Sequence, residues 1–199
     1  MKLVLASKNQ KKLMEMNEIL SHLGIQVCSE AEAGVDVEVE ETGATFEENS
    51  LLKARAVMEA SGMPAIADDS GLCVDALNGA PGVYSARYGG EGLDDAGRYR
   101  LLLENMRGQT PRTAKFVSVI TCCFPNGDVL SARGECPGTI AFAPMGEGGF
   151  GYDPVFFIPS LKKTFAQLSP EEKNAISHRG KALEAFKVKL EEYLGEDRS

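Results

Sequence analysis

Asp68 and Asp69 stand side by side after the apolar run Pro64-Ala65-Ile66-Ala67, with no Lys or Arg within eight residues on either side. Adjacent carboxylates repel each other and are costly to desolvate together. A divalent cation would remove the conflict, since Mg2+ takes one or two protein carboxylates and leaves its other positions to water and substrate phosphate. The bland alternative is a turn, because Asp68-Asp69-Ser70-Gly71 is also favourable Asx-turn chemistry. The apolar run ahead of it favours a site at a strand's C-terminal end, where ligands of α/β sheets usually bind.

A second group is Ser7-Lys8-Asn9-Gln10-Lys11-Lys12 at a strand-to-helix junction. A helix start offers unpaired N–H groups and partial positive charge, which suits an anion such as phosphate. Residues 1–14 carry Lys2, Lys8, Lys11 and Lys12 and no acid, a cationic island on a chain of net charge −8. The Gly-x4-Gly-Lys spacing of a P-loop is absent. A solvated, capped helix start with incidental lysines reads the same residues equally well.

Three further groups follow. Glu38 and Glu40 face one side of an extended segment, opposite Glu41, so one face could supply another metal ligand. Asn49 and Lys53 share a helix face at i, i+4. In 148–154, "GGFGYDP", Gly149 and Gly151 flank Phe150. A ring presented between glycines can approach and stack on a flat base, although a turn with a buried Phe is the simpler reading. In 173–183, "KNAISHRGKAL", His178-Arg179-Gly180 interrupts a helical pattern. Arg is a good donor to the O6/N7 edge of a 6-oxopurine, but a solvated helix face would also hold such residues. Together these groups describe a nucleoside triphosphate pocket.

The elements that must position them alternate. "KLVLAS" (2–7) predicts a strand, and a helix follows with Leu13, Met16, Leu20 and Leu23 on one face and Gly24 as its stop. "IQVCS" predicts a second strand, and 30–44 a strand plus loop. Thr45 and Glu48 mark the capping box of a helix that Gly62 closes. "PAIA" (64–67) is a short strand and 78–92 a glycine-rich loop. "LDDAGRYRLLLENM" is a helix. Two β-rich runs meet at Asn126-Gly127, a hairpin signal, and "VFFI" is a late strand. A last helix starts at Ser169-Pro170 and carries Leu183, Phe186, Leu190 and Tyr193 as its apolar stripe. Its tail, "GEDRS" (195–199), is expected to fray. This order predicts a mixed α/β sheet with helices on its faces.

Composition narrows the classes. With 43% hydrophobic residues over 199, the chain can bury the core of one domain, which could have two lobes. No run approaches the ~20 apolar residues of a membrane span, and "MKLVLASKNQKK" lacks a signal-peptide layout, so a cytoplasmic protein is expected. The acidic balance disfavours nucleic acid as a partner. Five cysteines without CxxC spacing read as buried hydrophobes. With only His22 and His178, any metal should be a hard cation on carboxylates.

The residues resemble those of a known family, the inosine triphosphatase or RdgB-like pyrophosphatases of noncanonical purine nucleoside triphosphates. Ser7, Asn9 and Lys12 match its opening Ser/Thr-x-Asn-x-x-Lys. "EETGATFEENSLLKA" (40–54), "ADDSGLCVDALNGAPGVYSARY" (67–88), "GGFGYDPVF" and "EKNAISHRGKAL" match its remaining blocks, in order, from residue 3 to about 190. The resemblance implies a two-lobed α/β domain over 1–199, with a long mixed sheet and the active site between the lobes. It implies Mg2+-dependent hydrolysis of ITP, dITP and XTP to monophosphate and pyrophosphate, and a homodimer. It implies Asp69 as general base and metal ligand, Glu40 as second ligand, and Asp68 as support. Ser7, Asn9, Lys12 and Lys53 would bind the triphosphate, with Lys8, Gln10 and Lys11 beside them. Ser70, Phe150, Gly151, Tyr152, Asp153, Lys173, His178 and Arg179 would bind the nucleotide and its base. A stepwise nucleotide phosphatase and a nucleotide sensor without turnover are the alternatives.

Overall fold

The computed structural model describes residues 1–196, so Asp197, Arg198 and Ser199 of the expected frayed tail lie outside it. Seven strands form one mixed sheet in the order β2-β1-β3-β4-β5-β6-β7. They are β1 (Lys2–Leu5), β2 (Gln26–Cys28), β3 (Ala65–Val74), β4 (Thr113–Cys123), β5 (Val129–Ile140), β6 (Phe156–Ile158) and β7 (Lys163–Thr164). The helices are α1 (Gln10–Leu20), α2 (Phe46–Ser61), α3 (Asp95–Asn105), α4 (Pro170–Ile176) and α5 (His178–Glu196). β1 pairs parallel with β2 and β3, and β6 pairs antiparallel with β5 and β7.

The chain divides into two compact units. The first holds residues 1–69, 118–134 and the chain from 181 onward. One face of its sheet, Leu3, Leu5, Ile66, Ile120 and Cys122, packs with Met16 and Leu20 of α1 and with Leu183, Phe186 and Leu190 of α5. The opposite face, Val4, Ala65, Ala67 and Cys123, packs with Ala54 and Val57 of α2. Period-two alternation along each strand separates the faces. The second unit holds 70–117 and 135–180. Its core joins Leu72, Val74, Phe116, Cys136, Phe156 and Phe165 with Leu102 and Met106 of the α3 region.

Local signals act as expected at several ends. Gly62, left-handed at φ 67°, stops α2, and Gly24, at φ 71°, closes the 3-10 turn Ser21–Leu23 that follows α1. Ser169 and Glu172 complete a capping box with Pro170 behind the cap. Asn126 and Gly127 lie in the 124–128 turn between β4 and β5, where the Phe124 N–H donates to the Asp128 carbonyl.

Four expectations are corrected. β3 does not end at Ala67 but runs ten residues, straight through Asp68 and Asp69. Residues 30–44 contain no strand. There the Val37 N–H is taken by the Glu30 carboxylate, and Val35 and Val37 pack on the Val4/Val57 cluster, so the backbone is satisfied locally without a ladder. The 78–92 loop contains a 3-10 helix over Gly82–Arg87. The last helix is two helices, broken at Ser177, whose backbone is extended and whose Oγ accepts the Gly180 N–H. Gly180 permits this junction, because a Cβ there would stand 2.4 Å from the Asn174 carbonyl oxygen.

Candidate functional site

The pleat of β3 resolves the carboxylate pair. Asp68 shares a face with Ile66 and points to the α1 side, whereas Asp69 shares a face with Ala65 and Ala67 and points to the α2 side. Each carboxylate meets a different lysine. Lys12 Nζ on α1 is 2.9 Å from Asp68 Oδ1, and Lys53 Nζ on α2 is 3.3 Å from Asp69 Oδ1. Lys53 also donates to the Asp68 carbonyl at 2.7 Å and pairs with Glu41 at 2.8 Å. The expectation that a metal alone supplies the counter-charge is therefore corrected: two lysines distant in sequence supply part of it.

That compensation is uneven. Asp68 is 3% exposed and Asp69 9%. Asp69 Oδ2 is buried with no hydrogen-bond partner. Burial pushes the Asp69 carboxyl up to about 6, against the pull of Lys53 and with the added repulsion of Glu41 and Asp68. Burial also opposes the charge on Lys53, but Asp69, Glu41 and Asp68 outweigh it and hold its pKa above the ordinary value. Carboxylates here outnumber ammonium groups, and Asp68 Oδ2, like Asp69 Oδ2, is buried without a hydrogen-bond donor. A hard cation fits such an oxygen. Among the described residues no three carboxylate, imidazole or thiolate side chains close around a point. The donor set matches an ion that draws most of its shell from water and substrate oxygens.

The start of α1 lies in the same unit. Asn9 is its N-cap and accepts from the Lys11 and Lys12 N–H groups, and Ser7 Oγ accepts the Asn9 N–H at 3.2 Å. Gln10 and Lys11 are exposed in the first turn. Lys8 pairs with Asp36 at 2.9 Å, both largely in solvent. Glu40 is exposed in the irregular segment before α2, and Glu41, which sequence reasoning set aside, is the acid at Lys53. Alternation could not identify it, because the segment is not a strand.

The second group lies in the other unit. Phe150 is 58% exposed in the glycine loop. Asp153 is buried, accepts the Phe150 N–H at 3.1 Å and pairs with Lys173 at 2.6 Å. Burial pushes the Asp153 carboxyl up, while Lys173 pulls it down. Gly149 is required twice over: its φ is 69°, and a Cβ there would lie 2.1 Å from Asp153 Oδ2. Lys173 Nζ sits 4.6 Å from the Phe150 ring centroid and 5.6 Å from that of Phe165. His178 stacks on Phe116 at 4.8 Å, and Phe116 stacks on Phe165 at 5.5 Å. Arg179 is half-buried beside His178 in the first turn of α5, and its charge helps hold Asp153 down. Tyr152 is buried, its hydroxyl donates to the Ser85 carbonyl, and burial pushes its phenol up. The Gly151 N–H donates to Asp95 at 2.9 Å. Ser70 follows Asp69 on β3 and is half-buried. Phe116, Phe165 and Asp95 were not anticipated, since nothing in their local sequence separates them from core or cap residues.

Comparison with known proteins shows the family and the fold. The model of the Ham1 family matches residues 3–189. A dITP/XTP pyrophosphatase of Desulforamulus reducens is 53% identical over 185 residues, 92% of either chain. The dITP/XTP pyrophosphatase of Haemophilus influenzae is 52% identical, covering 95% of this chain and 98% of that one. Among solved structures, a HAM1 protein from Coxiella burnetii superposes with a TM-score of 0.92 at 46% identity, covering 96% of this chain and 99% of that one.

Proposed function

The chain belongs to the Ham1 family, and from that premise we propose that it is a pyrophosphatase hydrolysing dITP, ITP and XTP to the nucleoside monophosphate and pyrophosphate. The names of its relatives support the reaction class. The observation that carries the reading is Asp69: a buried carboxylate with a donor-free oxygen, held near neutrality beside a lysine. A general base works best with a pKa near the working pH. The Asp69 carboxylate would activate or orient the attacking water. Lys53 and Lys12 neutralise charge developing on the pyrophosphate leaving group, and the α1 start with Ser7 and Asn9 binds phosphate oxygens.

Mg2+ is part of this proposal. Asp69 and Glu40 would hold it, with Glu41 adjacent, and the ion would supply charge neutralisation on the phosphates. Phe150 would stack on the base, while Lys173, His178 and Arg179 present donors to a 6-keto oxygen. The amino group of adenine would set donor against donor, a mismatch that discriminates strongly. A homodimer in the cytoplasm completes the proposal; no helix among the described residues is long and apolar enough to cross a membrane. The test is dITP with Mg2+ and resolved products. Pyrophosphate with dIMP is expected. Orthophosphate released through dIDP would overturn the proposal in favour of a stepwise phosphatase, and binding without turnover would favour a sensor.

A further inference from the structure

Segment 35–43 belongs to no helix or strand, yet its Glu41 is held 2.8 Å from Lys53 Nζ. Its backbone must be fixed by something other than a ladder. Asn49 lies one turn before Lys53 on α2 and is 1% exposed. Its Oδ1 accepts the Gly43 N–H at 2.8 Å, and its Nδ2 reaches the Gly43 carbonyl at 3.5 Å. One side-chain amide thus meets both backbone polar groups of a single residue, which only a side chain bearing a donor and an acceptor can do. The packing is equally close. A Cβ on Gly43 would stand 2.6 Å from Asn49 Oδ1 and 2.7 Å from Glu48 Cβ. Gly43 is not among the glycines with positive φ, so space and not backbone conformation demands it.

We propose that Asn49 is a positioning residue: by gripping Gly43 it holds Glu41 against Lys53, and so sets where the Lys53 ammonium stands relative to Asp69. Asn49 and Lys53 stand on one helix face, four residues apart, so the grip on Gly43 and the lysine are rigidly linked. Gly43 is two residues from Glu41, which leaves the carboxylate little freedom once the glycine is clamped. The Glu48 carboxylate reinforces the same turn by accepting the Ala44 N–H, while Thr45 caps the helix. The proposal rests on reading Lys53 and Asp69 as the reacting centre.

The experiment compares Asn49→Ala and Gly43→Ala, each alone and combined with Glu41→Gln, in dITP hydrolysis and in urea unfolding of the metal-free protein. Gly43→Ala attacks the contact from the other side, in case Asn49→Ala fails to fold. We expect kcat to fall about 10-fold or more, the scale for losing a residue that orients an active-site ligand. KM for dITP should stay nearly unchanged. The loss should largely vanish in the Glu41→Gln background, because the clamp acts through Glu41. The Gly43 amide should be protected from hydrogen exchange in the wild type and lose protection in Asn49→Ala, while the Leu5 amide keeps its own. Unchanged kcat, or a loss that multiplies undiminished with Glu41→Gln, would overturn the proposal and leave Asn49 a structural residue. If the wild type releases no pyrophosphate from dITP, the functional reading fails separately. The unfolding cycle then decides: coupling between Asn49→Ala and Glu41→Gln upholds the clamp, and additivity overturns it.

Discussion

Replacing Asp69 by Asn should make the protein more stable at neutral pH while abolishing its turnover. Burial lifts the Asp69 carboxyl from 3.8 to about 6. A group raised in the folded state contributes its full stability below its unfolded pKa and loses it as pH rises through the folded one. Ionising Asp69 therefore costs folding free energy between about pH 4 and pH 6. At ~1.4 kcal/mol per pH unit, the full cost is about 3 kcal/mol. Asn cannot ionise, so the variant escapes that cost. It also deprives Lys53 of one anion, although Glu41 and the Asp68 carbonyl remain as partners. The net gain above pH 6 should be about 1–2 kcal/mol, or a Tm rise of about 2–8 °C for a chain of this size. Below pH 4 the two proteins should melt together. The assay is thermal unfolding from pH 3.5 to 8 in EDTA, then with Mg2+, which should recover stability in the wild type only. A variant equally or less stable than wild type at pH 8 would refute the account of Asp69 as a burial-strained carboxylate.

Lys12→Met leaves the buried Asp68 carboxylate without its α1 ammonium. Breaking a buried pair from one side costs ~3–5 kcal/mol, and the partial exposure of Lys12 should bring the loss in urea unfolding to about 3 or less; adding Asp68→Asn should recover most of it. Phe150→Ala should raise KM for dITP about tenfold, since stacking on a base is worth ~1–3 kcal/mol. Tm should barely move, because the ring is largely in solvent; an unchanged KM would remove Phe150 from base binding. Gly149→Ala drives a Cβ into Asp153 Oδ2 and should weaken both dITP binding and folding, by about 1–3 kcal/mol in the latter. Gly151→Ala meets nothing within 4 Å and bears only the strain of its positive φ, so it should cost less, about 1–2 kcal/mol. Equal losses in the two alanine variants would deny the close approach of Gly149 to Asp153.

Much of the architecture was legible because its signals are local. Capping at Thr45 and Ser169, stops at Gly24 and Gly62, and the 3.6-residue stripes of α1 and α5 act within a few residues, so they survive any tertiary context. The identity of the chemical groups was legible for the same reason: blocks such as 67–88 carry their residue types in order. Boundaries set by distant partners were not. Nothing within 64–67 says that β3 continues for seven more residues, because the lysines that allow carboxylates in mid-strand come from α1 and α2. The segment 30–44 alternates like a strand, but its hydrogen bonds go to Glu30 and Asn49 instead of a ladder.

The carboxylate pair shows where the division falls. Sequence alone determines that two acids are adjacent, that they follow an apolar strand, and that no basic residue is near in the chain. It treats them as equivalent, because adjacency carries no information about faces. Tertiary structure separates them. Once β3 is fixed between β1 and β4, the pleat must send Asp68 toward α1 and Asp69 toward α2. Lys12 then pairs with Asp68, while Lys53 is shared among Asp69, Glu41 and a backbone carbonyl. Burial, only partly offset by the shared Lys53, leaves the Asp69 carboxyl raised to about 6. The difference in environment between the two aspartates is thus a property of the sheet's two faces.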